Sequence, residues 1–277
     1  MRFRQGSIEI SPVHDEPILG LVLRAGYLSH EQMLRFMGLG ADSFLRHSLN
    51  WRLRRLVEHG LLVRDATPIL ARTRVYSVGA LGVEYLAGQG EFCAVPIHGS
   101  GNKPLCTSVL HALDLNEIHL ALKGTGMLVQ WRPESQVRSR NELTSSRYEK
   151  DYDAIVLVRV GGVESEFALE YERTPKAKRR YEFVRYKVEH EDQLRRFVYI
   201  AANYHLLNYV ARMFDGTWRP VYFGLLTDIL QRQLDMDVLD ASRASTGSAP
   251  GLMLCLRFGL VLAFPPARKA RRCKYRA

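Results

Sequence analysis

Apolar residues recur at helical spacing through the first part of the chain. A first helix is predicted to begin near Glu16, and Ser29 is placed to cap a short second helix, HEQMLRFMG. A third and longer helix is predicted from Asp42 or Ser43 to Gly60. Apolar stripes support the first and third helices: Ile18, Leu19, Val22 and Leu23, then Leu45, Leu49, Leu53, Leu56 and Val57.

The third helix has a polar, basic outer face, and two short strands follow it. These strands, in LLVRD and ARTRVYSV, are joined by a loop with a turn at Thr67 and Pro68, and the helix ALGVEYLAG comes next. Three helices, two strands with a wing between them and a closing helix are the order of a winged helix-turn-helix domain, which we place at residues 15–90. In a DNA major groove the third helix would present four side chains: Arg46, His47, Asn50 and Arg54.

The predicted wing carries two more basic residues, Arg72 and Arg74, which would contact the flanking DNA phosphates. A winged helix can also serve protein contacts alone, as a dimerisation module, and the sequence leaves this alternative open. No heptad repeat commits the chain to a homodimer.

The remainder of the chain alternates between helices and strands. Residues 91–107, rich in Gly, Pro and small polar residues, are predicted to be a linker, and residues 241–277 an extension with a basic tail. Between them, at 108–240, we predict a mixed-sheet domain, so the fold class is α+β or α/β. The expected elements are a helix at 108–123, a strand at 126–132, a loop, strands at 152–160 and 164–173, a basic helix at about 175–195, and then FVYIAAN as strand, HLLNYVARMF as helix and RPVYFGLL as strand.

Trp131 and five tyrosines fall at spacings that suit helix packing. We therefore assign these aromatic side chains to the core before considering them as platforms for base stacking. The five tyrosines are Tyr181, Tyr186, Tyr199, Tyr204 and Tyr209.

The chain is basic, which favours a polyanionic partner such as DNA. It holds 39 Lys and Arg against 29 Asp and Glu, a formal net charge of +10. Arg173–Lys187 contains seven basic residues and one acidic residue, and Arg268–Arg276 contains six basic residues and no acid. For each segment phosphate binding stands beside a plainer alternative, a solvated helix face for the first and an unfolded tail for the second.

Several classes of protein lack their sequence signatures here. The four cysteines form no CxxC pair and no zinc-type spacing with histidine, so we interpret them as reduced thiols of a cytoplasmic protein. The N-terminus lacks the apolar run of a signal peptide, and the apolar stretch at 251–264 is short and contains Arg257, so no membrane association is predicted. The histidine pair of a metal-binding relaxase, the residue set of a tyrosine recombinase and the phosphate loop of an NTPase are absent from the sequence.

Three carboxylates are candidates for divalent-cation chemistry. Asp153 begins one predicted strand, and Glu170 and Glu172 lie two residues apart in the next strand, on the same face. Acids on adjacent strands hold Mg²⁺, which would polarise a DNA phosphate and activate an attacking water. The structural alternative is that Asp153 ends a strand and that the glutamates form a solvated sheet edge, neutralised by the basic helix.

From about residue 108 to 201 the order of elements resembles the core of the PD-(D/E)XK nuclease superfamily. That core runs helix, three strands, helix, strand, with an acid on the second strand and an acid-x-Lys on the third. The resemblance implies that Asp153 and Glu170 are metal ligands and that Mg²⁺ is the cofactor. The chain departs from the pattern at Tyr152, where the family has Pro, and at Glu172, where it has the catalytic Lys.

The missing lysine bears on activity, because it stabilises developing charge and helps to position the nucleophile. Some members of the superfamily supply it from the following helix. In this chain Lys178 and Lys187 are the candidates for that role, and Lys176 is a weaker one. Without such a replacement the resemblance implies an inactive or poorly metal-binding core.

A closer resemblance is to the replication-relaxation family of plasmids and integrative elements, over roughly residues 15–230. It is carried by HALDLNEIHLAL at 111–122, W-x-x-E at Trp131–Glu134, DAIVLV at 153–158 and EYERT at 170–174. This resemblance implies a DNA-binding protein that acts in plasmid replication or transfer or in their regulation, with DNA and the element's replication or transfer proteins as partners. The alternative is an active Mg²⁺-dependent endonuclease that the winged helix targets to DNA.

Overall fold

The computed structural model describes residues 8–38, 43–65, 73–91, 106–241 and 254–263. The described residues form two compact units. We call Met1–Gly126 with Trp131–Ile155 the N-terminal unit, and Met127–Gln130 with Val156–Ala277 the sheet unit. Most of the predicted linker 91–107 and of the extension 241–277 lies outside the described residues, and the predicted domain limits 15–90 and 108–240 stay predictions.

The N-terminal unit contains the helices and strands predicted for its first part, in the predicted order. An additional two-residue strand, β1, pairs antiparallel with β3, which also pairs with β2, so the small sheet has the order β1-β3-β2. The elements are α1 (Asp15–Ala25), β1 (Leu28–Ser29), α2 (His30–Phe36), α3 (Ser43–Glu58), β2 (Leu62–Asp65), β3 (Val75–Val78), α4 (Ala80–Gly88) and α5 (Cys106–Gly124).

Amphipathic helices build the core of the N-terminal unit. The predicted stripes are buried at all four α1 positions and at Leu49, Leu53 and Leu56 of α3, whereas Val57 is partly buried. The predicted N-cap at Ser29 is confirmed as a capping box: its hydroxyl accepts from the Gln32 backbone N–H at 3.1 Å, and the Gln32 side chain accepts from the Ser29 N–H at 3.2 Å. The cap fixes where α2 begins.

A buried carboxylate joins α1 to α3. Asp15 is fully buried and accepts hydrogen bonds from the Ser11 backbone N–H at 2.9 Å and from the Arg52 guanidinium at 3.0 Å. It also accepts one from the guanidinium of Arg55, which is itself buried. Because a charge in the core is costly unless it is paired, these contacts fix the rotation of α3 about its axis.

The larger sheet has seven strands in the order β10-β9-β8-β7-β6-β5-β4. Strands β6, β7 and β8 are parallel, and β9 and β10 continue the sheet antiparallel, which confirms the predicted mixed sheet. The elements are β4 (Leu128–Pro133), α6 (Glu134–Leu143), β5 (Ala154–Val160), β6 (Val163–Glu172), α7 (Lys178–His190), β7 (Phe197–Ala201), α8 (Tyr204–Met213), β8 (Val221–Leu225), α9 (Leu226–Arg232), a 3-10 turn (Gln233–Asp235), β9 (Asp237–Asp240), β10 (Leu254–Arg257) and α10 (Phe258–Ala263).

The central parallel strands are buried on both faces, which accounts for their continuous apolar runs. Every residue of β7 is buried, and the register aligns Tyr199 of β7 with Glu170 of β6 and Phe223 of β8. The rings of Tyr199, Phe214 and Phe223 pack together with centroids 4.9 to 5.7 Å apart. Glu170 therefore belongs to an interior strand.

Two predictions about secondary structure were wrong. The predicted loop after the first strand contains α6, which the sequence did not reveal because Val137 is its one buried residue and no apolar stripe forms. The basic helix predicted at 175–195 is shorter, because Glu191 is already extended where the chain turns toward β7. Pro133 stands at the N-cap position of α6 and offers no side-chain cap, so the start of the helix also lacks the usual sequence signal.

The assignment of all five tyrosines to the core was also wrong in part. Tyr181 and Tyr199 are buried and Tyr209 is partly buried, but Tyr186 and Tyr204 are exposed. Five residues separate Tyr181 from Tyr186, which places them on opposite sides of α7. Within the described residues no helix combines the length and the apolar character that crossing a bilayer requires.

We expect Asp15→Ala to lower the free energy of unfolding by about 3 kcal/mol, because it leaves the buried Arg55 guanidinium without its carboxylate. Urea denaturation followed by circular dichroism measures this loss. The matched control is Glu84→Ala, an exposed carboxylate on α4 of the same unit, which should change stability by less than about 0.5 kcal/mol. Equal effects of the two substitutions would contradict the anchoring role of Asp15.

Candidate functional site

The outer face of α3 is polar and open to solvent. All four predicted contact residues on it, Arg46, His47, Asn50 and Arg54, are exposed, opposite the buried leucines. Helical periodicity alone separates the two faces, since side chains three and four residues apart share a side. The polar face predicted from the sequence is therefore present.

Three of these side chains are held by neighbours within the N-terminal unit. Asn50 Oδ1 lies 2.8 Å from His30 Nε2, and an Arg46 nitrogen lies 3.4 Å from a carboxylate oxygen of Glu31. Arg54 Nε donates to Glu58, one turn further along α3, at 2.7 Å. The first two contacts connect α3 with the first turn of α2. These contacts therefore orient Arg46 and Arg54, which lie near the two ends of the face, while both side chains remain exposed to solvent.

Of the two predicted wing residues, Arg74 lies within the described part of the chain. Arg74 is exposed immediately before β3, and its carbonyl accepts a hydrogen bond from the His30 backbone N–H at 2.8 Å. Arg72 lies outside the described residues.

Helix α5, which contains HALDLNEIHLAL, packs on α2 within the N-terminal unit. The Asn116 amide donates to the Tyr27 carbonyl at 2.6 Å, and the Gln32 amide donates to the Leu113 carbonyl at 2.8 Å. Glu117 accepts from Gln32 at 2.9 Å and from Arg35 at 2.6 Å. The sequence groups this helix with the nuclease-like core, whereas its contacts show that it supports α2, the helix that carries His30 and Glu31.

A stack of aromatic rings adds to the contacts between α5 and α2. The His119 ring is parallel to Trp131, with centroids 4.4 Å apart, and meets Phe36 edge-on at 4.9 Å. Burial, together with the charges of Lys123 and Arg24, lowers the pKa of His119 to about 3. The imidazole is therefore neutral at physiological pH, and its role is packing. The family-type motif residue Trp131 is part of this packing, as predicted.

Asp153 lies beside two other titratable groups of the N-terminal unit. Its Oδ2 is 3.5 Å from His111 Nε2, and its carbonyl accepts from the Glu134 backbone N–H at 2.9 Å. Partial burial and the Asp153 charge raise the pKa of Glu134, and the neighbouring Arg138, His111 and Lys150 side chains oppose this shift. The sequence had suggested Glu134 only through its motif, and the fold brings it to Asp153.

Glu170 and Glu172 share one face of β6 and are buried, with 5% and 4% of their surface exposed. The solvated sheet edge considered from the sequence is therefore wrong for these two, because β6 is an interior strand. Glu164 and Glu166, nearer the start of the strand, are exposed and partly exposed. Buried carboxylates on an interior strand are uncommon unless they are paired.

Among the candidate lysines, Lys176, the weaker candidate from the sequence, pairs with Glu172. Its Nζ lies 2.8 Å from Glu172 Oε1. Lys178 is exposed and lies 3.8 Å from Glu182, and Lys187 lies over the Phe183 ring at 5.8 Å. Lys176 can reach Glu172 because β6 ends at Glu172 and the chain turns before α7 begins.

In the described part of the chain no group of three or more His, Cys, Asp or Glu side chains is arranged to hold a metal ion. Glu172 is already neutralised by the Lys176 ammonium. Asp153 and Glu170 as ligands of Mg²⁺ therefore stay a prediction, and we assign no chemical step to a metal.

The structure thus combines a polar, basic helical face in the N-terminal unit with a mixed sheet that contains buried acids. The sequence model of the replication-relaxation family matches residues 19–198. The chain belongs to the replication-relaxation family.

Comparison with curated protein sequences gives no match. Among solved structures, the chain is similar to the restriction endonuclease FokI bound to DNA, with 9% sequence identity and a TM-score of 0.24. The match covers 78% of this chain and 43% of that one. A likeness this weak says nothing about activity.

Replacing Asp153 with Asn removes a negative charge beside Glu134, so we expect the pKa of Glu134 to fall toward its usual range. Carbon-detected NMR titration of the side-chain carboxyls measures the change. The control Asp228→Asn, on α9, should leave the Glu134 titration where it is. An unchanged Glu134 pKa in Asp153→Asn would show that the two carboxylates do not interact.

Proposed function

We propose that this member of the replication-relaxation family is a DNA-binding protein of a mobile element, acting in plasmid replication or transfer or in the control of those genes. The exposed polar face of α3 is the observation that carries the proposal. Family membership supports the mobile-element setting. DNA is the partner, and the element's replication or transfer proteins and a second copy of the chain are further candidates.

The dimensions and chemistry of α3 suit a major groove. Its 16 residues span about 24 Å, and the groove admits one α-helix. Arginine pairs with the guanine edge and asparagine with the adenine edge, which gives Arg46, Arg54 and Asn50 specific roles. We assign Arg74 to a flanking phosphate, and Arg72 with it.

The ion pairs on α3 are compatible with DNA binding. Arg46 with Glu31 and Arg54 with Glu58 are exposed pairs, and exposed pairs contribute little to stability because water screens their charges. A phosphate or a base edge can therefore displace the glutamates at little cost. In the free protein these pairs direct Arg46 toward α2 and Arg54 along α3 toward Glu58.

The buried side of α3 makes the exposed side rigid. Asp15 holds Arg52 and Arg55, and the guanidinium of Arg55 also lies over the half-exposed Trp51 ring, 4.9 Å from its centroid. A helix anchored by such contacts needs little rearrangement on binding, which favours affinity.

We expect the Arg46→Ala, Arg54→Ala double variant to bind duplex DNA at least tenfold more weakly and with a smaller salt dependence, because two cations leave the interface. Fluorescence anisotropy with a labelled plasmid-derived duplex, titrated at several NaCl concentrations, measures both effects. The matched control is Arg159→Ala, which removes an exposed arginine paired with Glu164 in the sheet unit and should bind like the parent chain. If the control and the double variant behave alike, α3 is not the interface.

The alternative function is an Mg²⁺-dependent endonuclease with Asp153 and Glu170 as ligands and Glu172 and a lysine beside them. Because no group of three or more His, Cys, Asp or Glu side chains in the described residues is arranged to hold a metal ion, we expect the chain to bind supercoiled plasmid without nicking it in the presence of Mg²⁺ or Mn²⁺. Gel electrophoresis of the plasmid, with EDTA and an Asp153→Ala, Glu170→Ala variant as controls, decides the point. Metal-dependent nicking that disappears in this variant would establish the endonuclease instead.

A further inference from the structure

Helix α7 presents a second basic surface, within the sheet unit. We define the α7 surface by six residues: Lys178, Arg179, Arg180, Phe183, Tyr186 and Lys187. The buried residues of the helix are Tyr181, Val184 and Val188, so the surface residues lie on the other sides of α7. Five of the six are exposed and Lys187 is partly exposed.

Two large aromatic rings stand in solvent among the cations of this surface. Phe183 is 52% exposed and Tyr186 is 55% exposed, and three residues separate them, so they are neighbours on the helix. Lys187 Nζ lies 5.8 Å from the Phe183 centroid, and the Tyr186 ring lies 4.0 Å from the His190 ring. Exposed aromatic rings beside cations mark a binding surface more than a folding requirement.

The charge of the α7 surface is unfavourable in the free protein. Lys178, Arg179 and Arg180 occupy the first turn of α7, which contains no acid, although the helix dipole makes that end electropositive. The acids on the helix are partly neutralised: Glu182 lies 3.8 Å from Lys178, and Glu189 lies 3.0 Å from Arg185. A polyanion bound here relieves the repulsion among these cations.

A groove beside Tyr186 enlarges the surface. It has a volume of about 450 Å³ and lies between α7 and α8. Its lining comprises three cations, two acids, a ring and a methionine: Lys178, Arg185, Arg212, Glu182, Glu189, Tyr186 and Met213. Glu182 lies 3.8 Å from Lys178 and Glu189 lies 3.0 Å from Arg185, so both acids have cationic partners. The groove therefore offers space for a base stacked on Tyr186, with cations from both helices at its border.

We propose that the α7 surface binds single-stranded nucleic acid, with bases stacked on Phe183 and Tyr186 and backbone phosphates on the surrounding cations. Positively charged surfaces with interleaved aromatic rings bind unpaired strands, because each base has a face free to stack. A duplex hides those faces, so the α7 surface discriminates in favour of unpaired strands. The proposal goes beyond duplex binding by α3 and stands or fails separately from it.

The test measures binding of fluorescein-labelled dT30 to the full chain by anisotropy at low salt. We expect Phe183→Ala, Tyr186→Ala to weaken binding about tenfold, and Arg179→Ala, Arg180→Ala to weaken it comparably while reducing the salt dependence. Tyr186→Phe keeps the ring and should bind like the parent chain. The controls are Leu230→Ala and Arg232→Ala, exposed apolar and basic positions on α9 of the same unit. Circular dichroism confirms that each variant folds.

Ultraviolet cross-linking of the dT30 complex should place cross-links at Phe183 or Tyr186. Absence of dT30 binding by the parent chain overturns the proposal and leaves a protein partner as the occupant of the surface. Loss of binding in the arginine variant but not in the aromatic variant also overturns it, because contact is then through phosphate alone. The Arg46→Ala, Arg54→Ala variant should retain dT30 binding, which separates failure of this proposal from failure of duplex binding by α3.

Discussion

A single buried carboxylate sets the geometry on which the N-terminal unit depends. Asp15 has no solvent to stabilise its charge and is satisfied by Arg52, Arg55 and the Ser11 backbone. Because both arginines belong to α3, the carboxylate together with the buried leucines Leu49, Leu53 and Leu56 holds one side of that helix inward. The exposed side follows from that choice, and so does the candidate DNA interface.

Helix α5 holds α2 in place through a separate set of contacts. Its asparagine, glutamate and lysine side chains bond to Tyr27, Arg35 and Phe36 around the short helix, and the neutral His119 ring fills the space between Phe36 and Trp131. The segment that resembles a nuclease-core helix in sequence thus also supports the helix next to α3. Polar contacts from α5 reach the ends of α2 as well as its middle, so α2 is held along its length.

Periodicity predicted the parts of this structure that are amphipathic or uniformly apolar. The leucine stripe of α3, the Ser29 cap and the central parallel strands follow directly from residue patterns. Helix α6 did not, because a helix with Val137 as its one buried residue has no stripe to detect. The exposure of Tyr186 also escaped prediction, since it depends on which side of α7 meets the sheet.

The candidate chemistry was harder to predict, because it depends on contacts between distant segments. Which lysine reaches Glu172 is decided by the residue at which β6 ends, and element boundaries are the least certain part of any prediction from sequence. Glu134 at the start of α6 contacts Asp153 at the start of β5. About twenty residues separate the two in the sequence, so the motifs that contain them do not reveal the contact. The sequence singled out Asp153 and Glu172 as candidate residues, but the side chains that contact them could be identified only from the fold.

Ultraviolet cross-linking of the full chain to duplex DNA, with the cross-linked peptides identified by mass spectrometry, tests the central claim most directly. Trp51, half-exposed on α3 beside Asn50, is a photoreactive residue within the proposed interface. The account predicts cross-links within Ser43–Glu58 that disappear when Arg46 and Arg54 are both replaced by alanine. Cross-links that arise elsewhere in the chain and persist in that variant would contradict it.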